Sequence, residues 1–91
     1  METRIIYHHT RHYQEVKGKH VISPNGGSTY AIEVDKIGNV VAFAVAHCNP
    51  KDNFNKHYGR VKAEGRLKSS IYRREMKAKI PYKQFIDTLV E

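Results

Sequence analysis

One cysteine, Cys48, in 91 residues excludes an internal disulfide and favours a reducing compartment. Long apolar runs are equally scarce. The longest, Val40 to Ala46, is seven residues, against the roughly 20 that a bilayer-spanning helix needs. No basic segment followed by an apolar one opens the chain, so a cleaved secretory signal is not expected. There is no internal repeat, low-complexity tract or linker. The length suits one domain with a small core, burying only about 60–65% of the surface exposed when unfolded. A multi-domain enzyme, a membrane span and a disulfide scaffold are therefore excluded. A composition of 40% hydrophobic and 27% charged residues is ordinary for a folded domain and too apolar for a disordered tail. The expectation is a small, single-domain, cytoplasmic protein.

Acidic residues are few: nine, against sixteen Lys and Arg, for a net charge of +7. The imbalance is local. Met1 to Cys48 holds five basic and four acidic residues, whereas Asn49 to Glu91 holds eleven and five. A located basic patch attracts phosphate backbones, anionic membranes or acidic protein surfaces. It also serves solubility alone.

Arg4 to Tyr7 reads as a short β-strand, and Val21-Ile22 as a second. Ser23-Pro24-Asn25-Gly26-Gly27 is a turn, because proline presets one dihedral and asparagine and glycine tolerate positive φ. Thr29 to Asp35 alternates, with Tyr30, Ile32 and Val34 on one face and Thr29, Ala31, Glu33 and Asp35 on the other. Lys36-Ile37-Gly38-Asn39 suits a hairpin connection. Val40 to His47 returns with Val41, Phe43 and Val45 on one face and Val40, Ala42, Ala44 and Ala46 on the other. Both faces are apolar, which predicts a central strand covered on both sides. The alanine face leaves room for close approach by a helix.

Asn49 as N-cap, Pro50 at the first helical position and Asp52 near the positive end of the dipole predict a main helix over about 50–68. Phe54, Tyr58, Val61 and Gly65 are expected to face the sheet. Gly59 and Gly65 each cost about 1 kcal/mol relative to alanine; close packing on the alanine face is the favoured explanation, with a bend or early stop of the helix as the other. Residues 71–80 read equally as an alternating strand or as continued helix. Pro81 starts a short C-terminal helix over about 81–90, with Tyr82, Phe85, Ile86 and Leu89 at helical spacing. The fold class is α+β: a small antiparallel sheet, its central hairpin at about 29–47, packed by the main helix.

Candidate binding residues are basic and lie in the second half. Lys56, His57, Arg60, Lys62, Arg66 and Lys68 decorate the main helix, with Arg73 and Arg74 beyond it. Lys56 and Arg60 are one turn apart, with Lys62 and Arg66 flanking the same exposed side. Such a face contacts phosphates, with His57, Tyr58 or Tyr72 for stacking, or it is simply a solvated helix side. No zinc-finger spacing, RNA-recognition strand motif or helix-turn-helix accompanies it. Six histidines raise metal binding, but a structural site usually pairs cysteines or sets them with histidines, and Cys48 stands alone. No metal or other cofactor is expected. Cys48 precedes a helix start, a place that activates thiols, yet no histidine is positioned to pair with it. An inert thiol is expected. With no carboxylate pair, phosphate-binding loop or serine elbow, the chain does not read as an enzyme.

The stretch His47-Cys48-Asn49-Pro50-Lys51-Asp52-Asn53-Phe54-Asn55-Lys56, continuing through Gly59-Arg60 and Gly65-Arg66-Leu67, resembles small bacteriophage-encoded accessory proteins. In these, a glycine-glycine turn and a hairpin precede a Cys-x-Pro-x-Asp-x-Phe segment and a Gly-Arg…Gly-Arg helix. Gly26-Gly27 fits the same layout, and the resemblance covers about Ser23 to Leu67. It implies a phage accessory protein made in an infected bacterium. With the small size, the basic charge and the missing catalytic constellation, the expectation is a non-enzymatic protein acting in the cytoplasm of that cell. There it would occupy a host or defence protein or nucleoprotein stoichiometrically, as an anti-CRISPR protein does. A standard interface needs only about 800 Å² per partner. The alternative expectation is direct binding of DNA or RNA through the same helix. No membrane partner is expected, and a homodimer through an exposed strand edge stays open.

Overall fold

The structure, a computed structural model, describes residues 2–89. The end of the expected C-terminal helix, residue 90, lies outside them. Five strands come first: β1 (Thr3–Thr10), β2 (Tyr13–Val16), β3 (Lys19–Ile22), β4 (Ser28–Asp35) and β5 (Asn39–His47). Helix α1 (Lys56–Leu67), strand β6 (Arg74–Pro81) and helix α2 (Tyr82–Thr88) complete the chain. β1, β4, β5 and β6 form an antiparallel sheet in the order β1-β4-β5-β6, and β2 and β3 form a separate ribbon. The α+β class and the central hairpin match the sequence reading, and within residues 71–80 the stretch from Arg74 onward is strand, the first three residues being turn and loop.

The hairpin is fixed at its turn. Asp35 Oδ1 accepts hydrogen bonds from the amides of Ile37, Gly38 and Asn39, each at 3.0 Å. Those three amides, led by that of Asn39 and assisted by Lys79, hold the Asp35 carboxyl below its usual range. The two sheet faces are covered by different helices. On one, Ala31, Ala42, Ala44 and Ala46 pack against Ala63 and Leu67 of α1, with Ile5 and Tyr7 at the margin. On the other, Ile32, Val34 and Val40 pack around Phe85 of α2, joined by Met76, Ile80, Tyr82, Ile86 and Leu89. β5 is thus an inner strand covered twice, as its two apolar faces require.

One side chain departs from the expected alternation. Val40 belongs to the α2 face, because a bulge lets Val34 pair with Val40 while Glu33 pairs with Ala42. The extra residue, Val41, breaks the period of two, so Val40 joins Phe43 rather than the alanines. β6 meets β5 in two short stretches around the same bulge, Asn39-Val40 against Ile80-Pro81 and Ala42-Phe43 against Arg74-Glu75.

The main helix begins later than the sequence suggests. Asn49 does accept a backbone hydrogen bond, from Lys51 N at 2.9 Å, but within a turn closed by Asp52 N to Asn49 O at 2.9 Å. The cap is Asn55, whose Oδ1 accepts from Tyr58 N at 2.9 Å. The segment between stays out of the helix because its backbone pairs elsewhere. Phe54 N donates to Pro24 O at 2.7 Å, Gly26 N donates to Asp52 O at 3.0 Å, and Asn25 bridges Asn53. These tertiary bonds outweigh the local helix-start signal.

Candidate partner-binding face

The loop at 48–55 is seated on the turn at 23–27, and Phe54 is its anchor. The Phe54 ring meets the His9 imidazole edge-on at 5.5 Å between centroids and lies 4.3 Å from the Arg11 guanidinium carbon. Gly27 makes this approach possible. Its φ is +100°, and a Cβ there would stand 2.7 Å from Thr10 O and 2.8 Å from Phe54 Cδ1. Burial, and then the charges of Lys56, Arg60, His8 and Arg11, hold the His9 imidazole below the usual histidine range.

α1 also turns a different side to the sheet from the one expected. Its inward residues are Gly59, Ala63 and Leu67, the last two buried. Gly59 is pressed on Thr29, where an added Cβ would lie 2.3 Å from Oγ1, whereas Gly65 is exposed with nothing within 4 Å. Close packing therefore explains Gly59 and not Gly65. The row expected to face the sheet instead forms the outer ridge: Tyr58 is 64% exposed and Val61 58%.

The expected basic residues divide into two groups. Lys56, His57, Lys62, Lys68 and Arg74 are exposed, and Arg60, Arg66 and Arg73 are half-buried. Arg66 lies across β5, donating to Val45 O at 3.0 Å with Tyr72 stacked 5.0 Å away. Lys68 pairs with Glu64 at 3.3 Å, and the Tyr7 hydroxyl donates to the same carboxylate at 2.5 Å. Those two bonds, that of Tyr7 foremost, hold Glu64 below the usual carboxylate range. Arg73 is tied to Glu33 at 2.6 Å and also to Glu75. It braces β4 against β6 and is not available to a partner.

Lys56 and Arg60 flank α1 on the β1 side, close enough to depress His9. Lys62 and Arg66 flank the opposite side, with the Lys62 amine 5.9 Å from the Tyr58 ring. The single cationic side expected from the sequence is thus two cationic margins with Tyr58 and Val61 between them. Among the described residues, no carboxylate lies within ion-pairing distance of Lys56, Arg60 or Lys62. Arg74 stands apart on β6.

A cleft of about 400 Å³ opens beside this ridge, lined by Ala46, His47, Cys48, Pro50, Tyr58 and Lys62 among others. The half-buried Cys48 thiol lies 3.6 Å from each of the carbonyl oxygens of Asn49, Asp52 and Asn53. His47 Nδ1 is engaged with Ser28 Oγ at 2.7 Å, and His57 points to solvent. No imidazole is paired with the thiol. Among the described residues, no three His, Cys, Asp or Glu side chains converge as a metal-ligand group.

Sequence reading missed the anchoring of Phe54 between His9 and Arg11, which joins residues more than 40 positions apart. The glycine pair at 26–27 was the available signal. Comparison of the chain with protein-family models, with curated proteins and with solved structures gives no match.

Proposed function

We propose that the chain is a non-enzymatic accessory protein of the bacteriophage type that acts by stoichiometric binding. The outer face of α1 docks on an acidic-rimmed, partly apolar surface of a bacterial host or defence protein or nucleoprotein, in the manner of an anti-CRISPR protein. The site of action is the cytoplasm of the infected cell. The observation that carries this reading is the exposed Tyr58-Val61 ridge with unpaired cations on both margins. A helix offering apolar anchors one turn apart fits the helix-in-groove mode of recognition. Tyrosine is a frequent energetic centre of interfaces, and flanking cations select an acidic partner and speed its capture. Engagement of Cys48 with backbone carbonyls and of His47 with Ser28 supports the non-enzymatic part. Among the described residues, no helix is long and apolar enough to cross a membrane.

The test is capture from a bacterial lysate with tagged protein, with and without nuclease. Expected is a stoichiometric protein partner that survives nuclease and is lost with Tyr58→Ala plus Val61→Ser. Both side chains are exposed, so this variant should melt within about 0.5 kcal/mol of wild type while binding at least tenfold more weakly. Absence of a stoichiometric partner, or a partner retained by the ridge variant, would overturn the reading. A second reading is favoured by the carboxylate-free surroundings of Lys56, Arg60 and Lys62: direct contact with nucleic-acid phosphates. It predicts loss of all partners on nuclease treatment and a log–log salt slope of about −0.9 per phosphate on duplex DNA.

A further inference from the structure

The β2–β3 ribbon stands apart from both packed layers. Its strands pair only with each other, and all eight of their residues are exposed. The ribbon makes at most sparse contact with the other elements, and the molecule is elongated, 49 × 24 × 18 Å. An isolated two-stranded ribbon is marginal in water, and this one holds Tyr13, Val16, Val21 and Ile22 at 65%, 44%, 39% and 52% exposure. Its geometry is nevertheless well specified. Lys17 and Gly18, at φ +52° and +78°, form the two-residue turn that matches strand twist. The root is tied by Ser23 N to His12 O at 2.8 Å and by Arg11 to Ser23 O at 3.0 Å.

The register sorts the side chains by chemistry. Cross-strand partners share a face, and Tyr13 pairs with Ile22, Gln14 with Val21, Glu15 with His20 and Val16 with Lys19. Tyr13, Glu15, His20 and Ile22 therefore occupy one face, and Gln14, Val16, Lys19 and Val21 the other. The second face has no carboxylate. It carries an amide and an ammonium, which read base edges, and two small apolar groups, which suit the thymine methyl. Lys17 adds a cation at the tip.

We propose that the β2–β3 ribbon is a DNA-reading arm that lays its Gln14/Val16/Lys19/Val21 face in the major groove of B-form duplex DNA. Two strands about 4.8 Å apart fit a groove about 12 Å wide, whereas the minor groove, about 6 Å wide, is too narrow. The deep, narrow major groove of duplex RNA does not admit side chains. Lys17 and Lys19, with no carboxylate on this face, favour a polyanion over a second copy, whose ribbon would present the same two cations. The same charge attracts a polyanion at long range. The assignment concerns an element remote in sequence from α1 and does not depend on the partner of that helix.

The experiment is fluorescence anisotropy with a labelled random-sequence DNA duplex of about 20 base pairs, titrated from about 50 to 300 mM KCl. The same sequence as RNA duplex and as single-stranded DNA serves for comparison. DNA duplex is expected to bind most tightly. Lys17→Glu with Lys19→Glu should lower its affinity at least tenfold near 100 mM KCl and flatten the log–log salt slope by about 1.8, two phosphates' worth. A control with the same change in net charge, Lys77→Glu with Lys83→Glu, should cost clearly less. Circular dichroism should show the ribbon variant folded as wild type, because nothing in either layer rests on those lysines. Equal losses in ribbon variant and control would overturn the proposal. So would RNA or single-stranded DNA binding as tightly as duplex DNA, or a ribbon that captures a protein with no affinity for the duplex.

Discussion

Alanine in place of Gly59 puts a methyl group where β4 leaves no room. Its Cβ would stand 2.3 Å from Thr29 Oγ1 and 3.1 Å from Thr29 Cβ. Thr29 cannot retreat, being 1% exposed on an inner strand, with Oγ1 2.9 Å from His9 Nδ1. The helix must lift from the sheet, loosening the contacts of Ala63 and Leu67. Overpacking of this kind costs about 1–3 kcal/mol, and a clash with a fixed strand belongs at the upper end. Alanine's better helix propensity returns about 1 kcal/mol, leaving a net loss of about 2 kcal/mol. For a domain of this size that lowers Tm by about 8–16 °C. Gly65→Ala is the control, since its Cβ meets nothing within 4 Å. It should gain up to about 1 kcal/mol and raise Tm by about 4–8 °C. Thermal melts of both variants decide the matter. In a Thr29→Ala background the Gly59→Ala penalty should shrink by about 1 kcal/mol, because the nearest clashing atom is gone. Gly59→Ala that matched or exceeded wild type in Tm would refute the close approach of α1.

The cap and the acid response give two further expectations. Asn55→Ala should cost about 1 kcal/mol in chemical denaturation, while Asn49→Ala, which loses only a turn outside the helix, should cost clearly less. On acidification, stability should fall in two stages. The His9 imidazole is depressed from an ordinary 6.5, so the unfolded chain takes up the proton first. The His9 contribution is complete above about pH 6.5 and is lost as pH falls toward its folded value. Glu33, depressed from 4.5 chiefly by the Thr3 hydroxyl with Arg73 assisting, and Asp35, depressed from 3.8 by its turn amides, contribute above their ordinary values and fail below them. Urea titrations across pH should show both stages, and His9→Gln should remove only the first.

The central hairpin and α2 were legible because their signals are short-range. Alternation over Thr29 to Asp35, a glycine-bearing turn and the spacing of Tyr82, Phe85, Ile86 and Leu89 act within one strand or two helical turns. What was hidden depends on partners distant in sequence. Asn49-Pro50 has every local mark of a helix start, but the bonds of Phe54 N to Pro24 O and of Gly26 N to Asp52 O hold the chain open until Asn55. The Val41 bulge is equally silent, since an apolar run cannot declare where its period slips. β2 was missed because Tyr13 to Val16 buries nothing, and a strand without a buried face has no hydrophobic alternation to display.

The candidate site shows the same limit from the opposite direction. Placing Tyr58 and Val61 against the sheet assumes that a helix buries its largest apolar residues. That assumption fails when the facing strands are lined with alanine. A shallow alanine surface packs best with an equally shallow helix face, and Gly59, Ala63 and Leu67 provide one. Once those positions turn inward, helical geometry sends Tyr58 and Val61 outward and leaves the basic residues on either margin. The exposed ridge is thus a consequence of how α1 packs, and a change in that packing moves the ridge with it. Enlarging Gly59 should displace the helix, shifting Tyr58 and Val61 relative to the sheet and pulling Arg66 from Val45 O. Loss of partner binding by a Gly59→Ala protein that is still folded at assay temperature would tie recognition to the depth at which α1 is seated on Thr29.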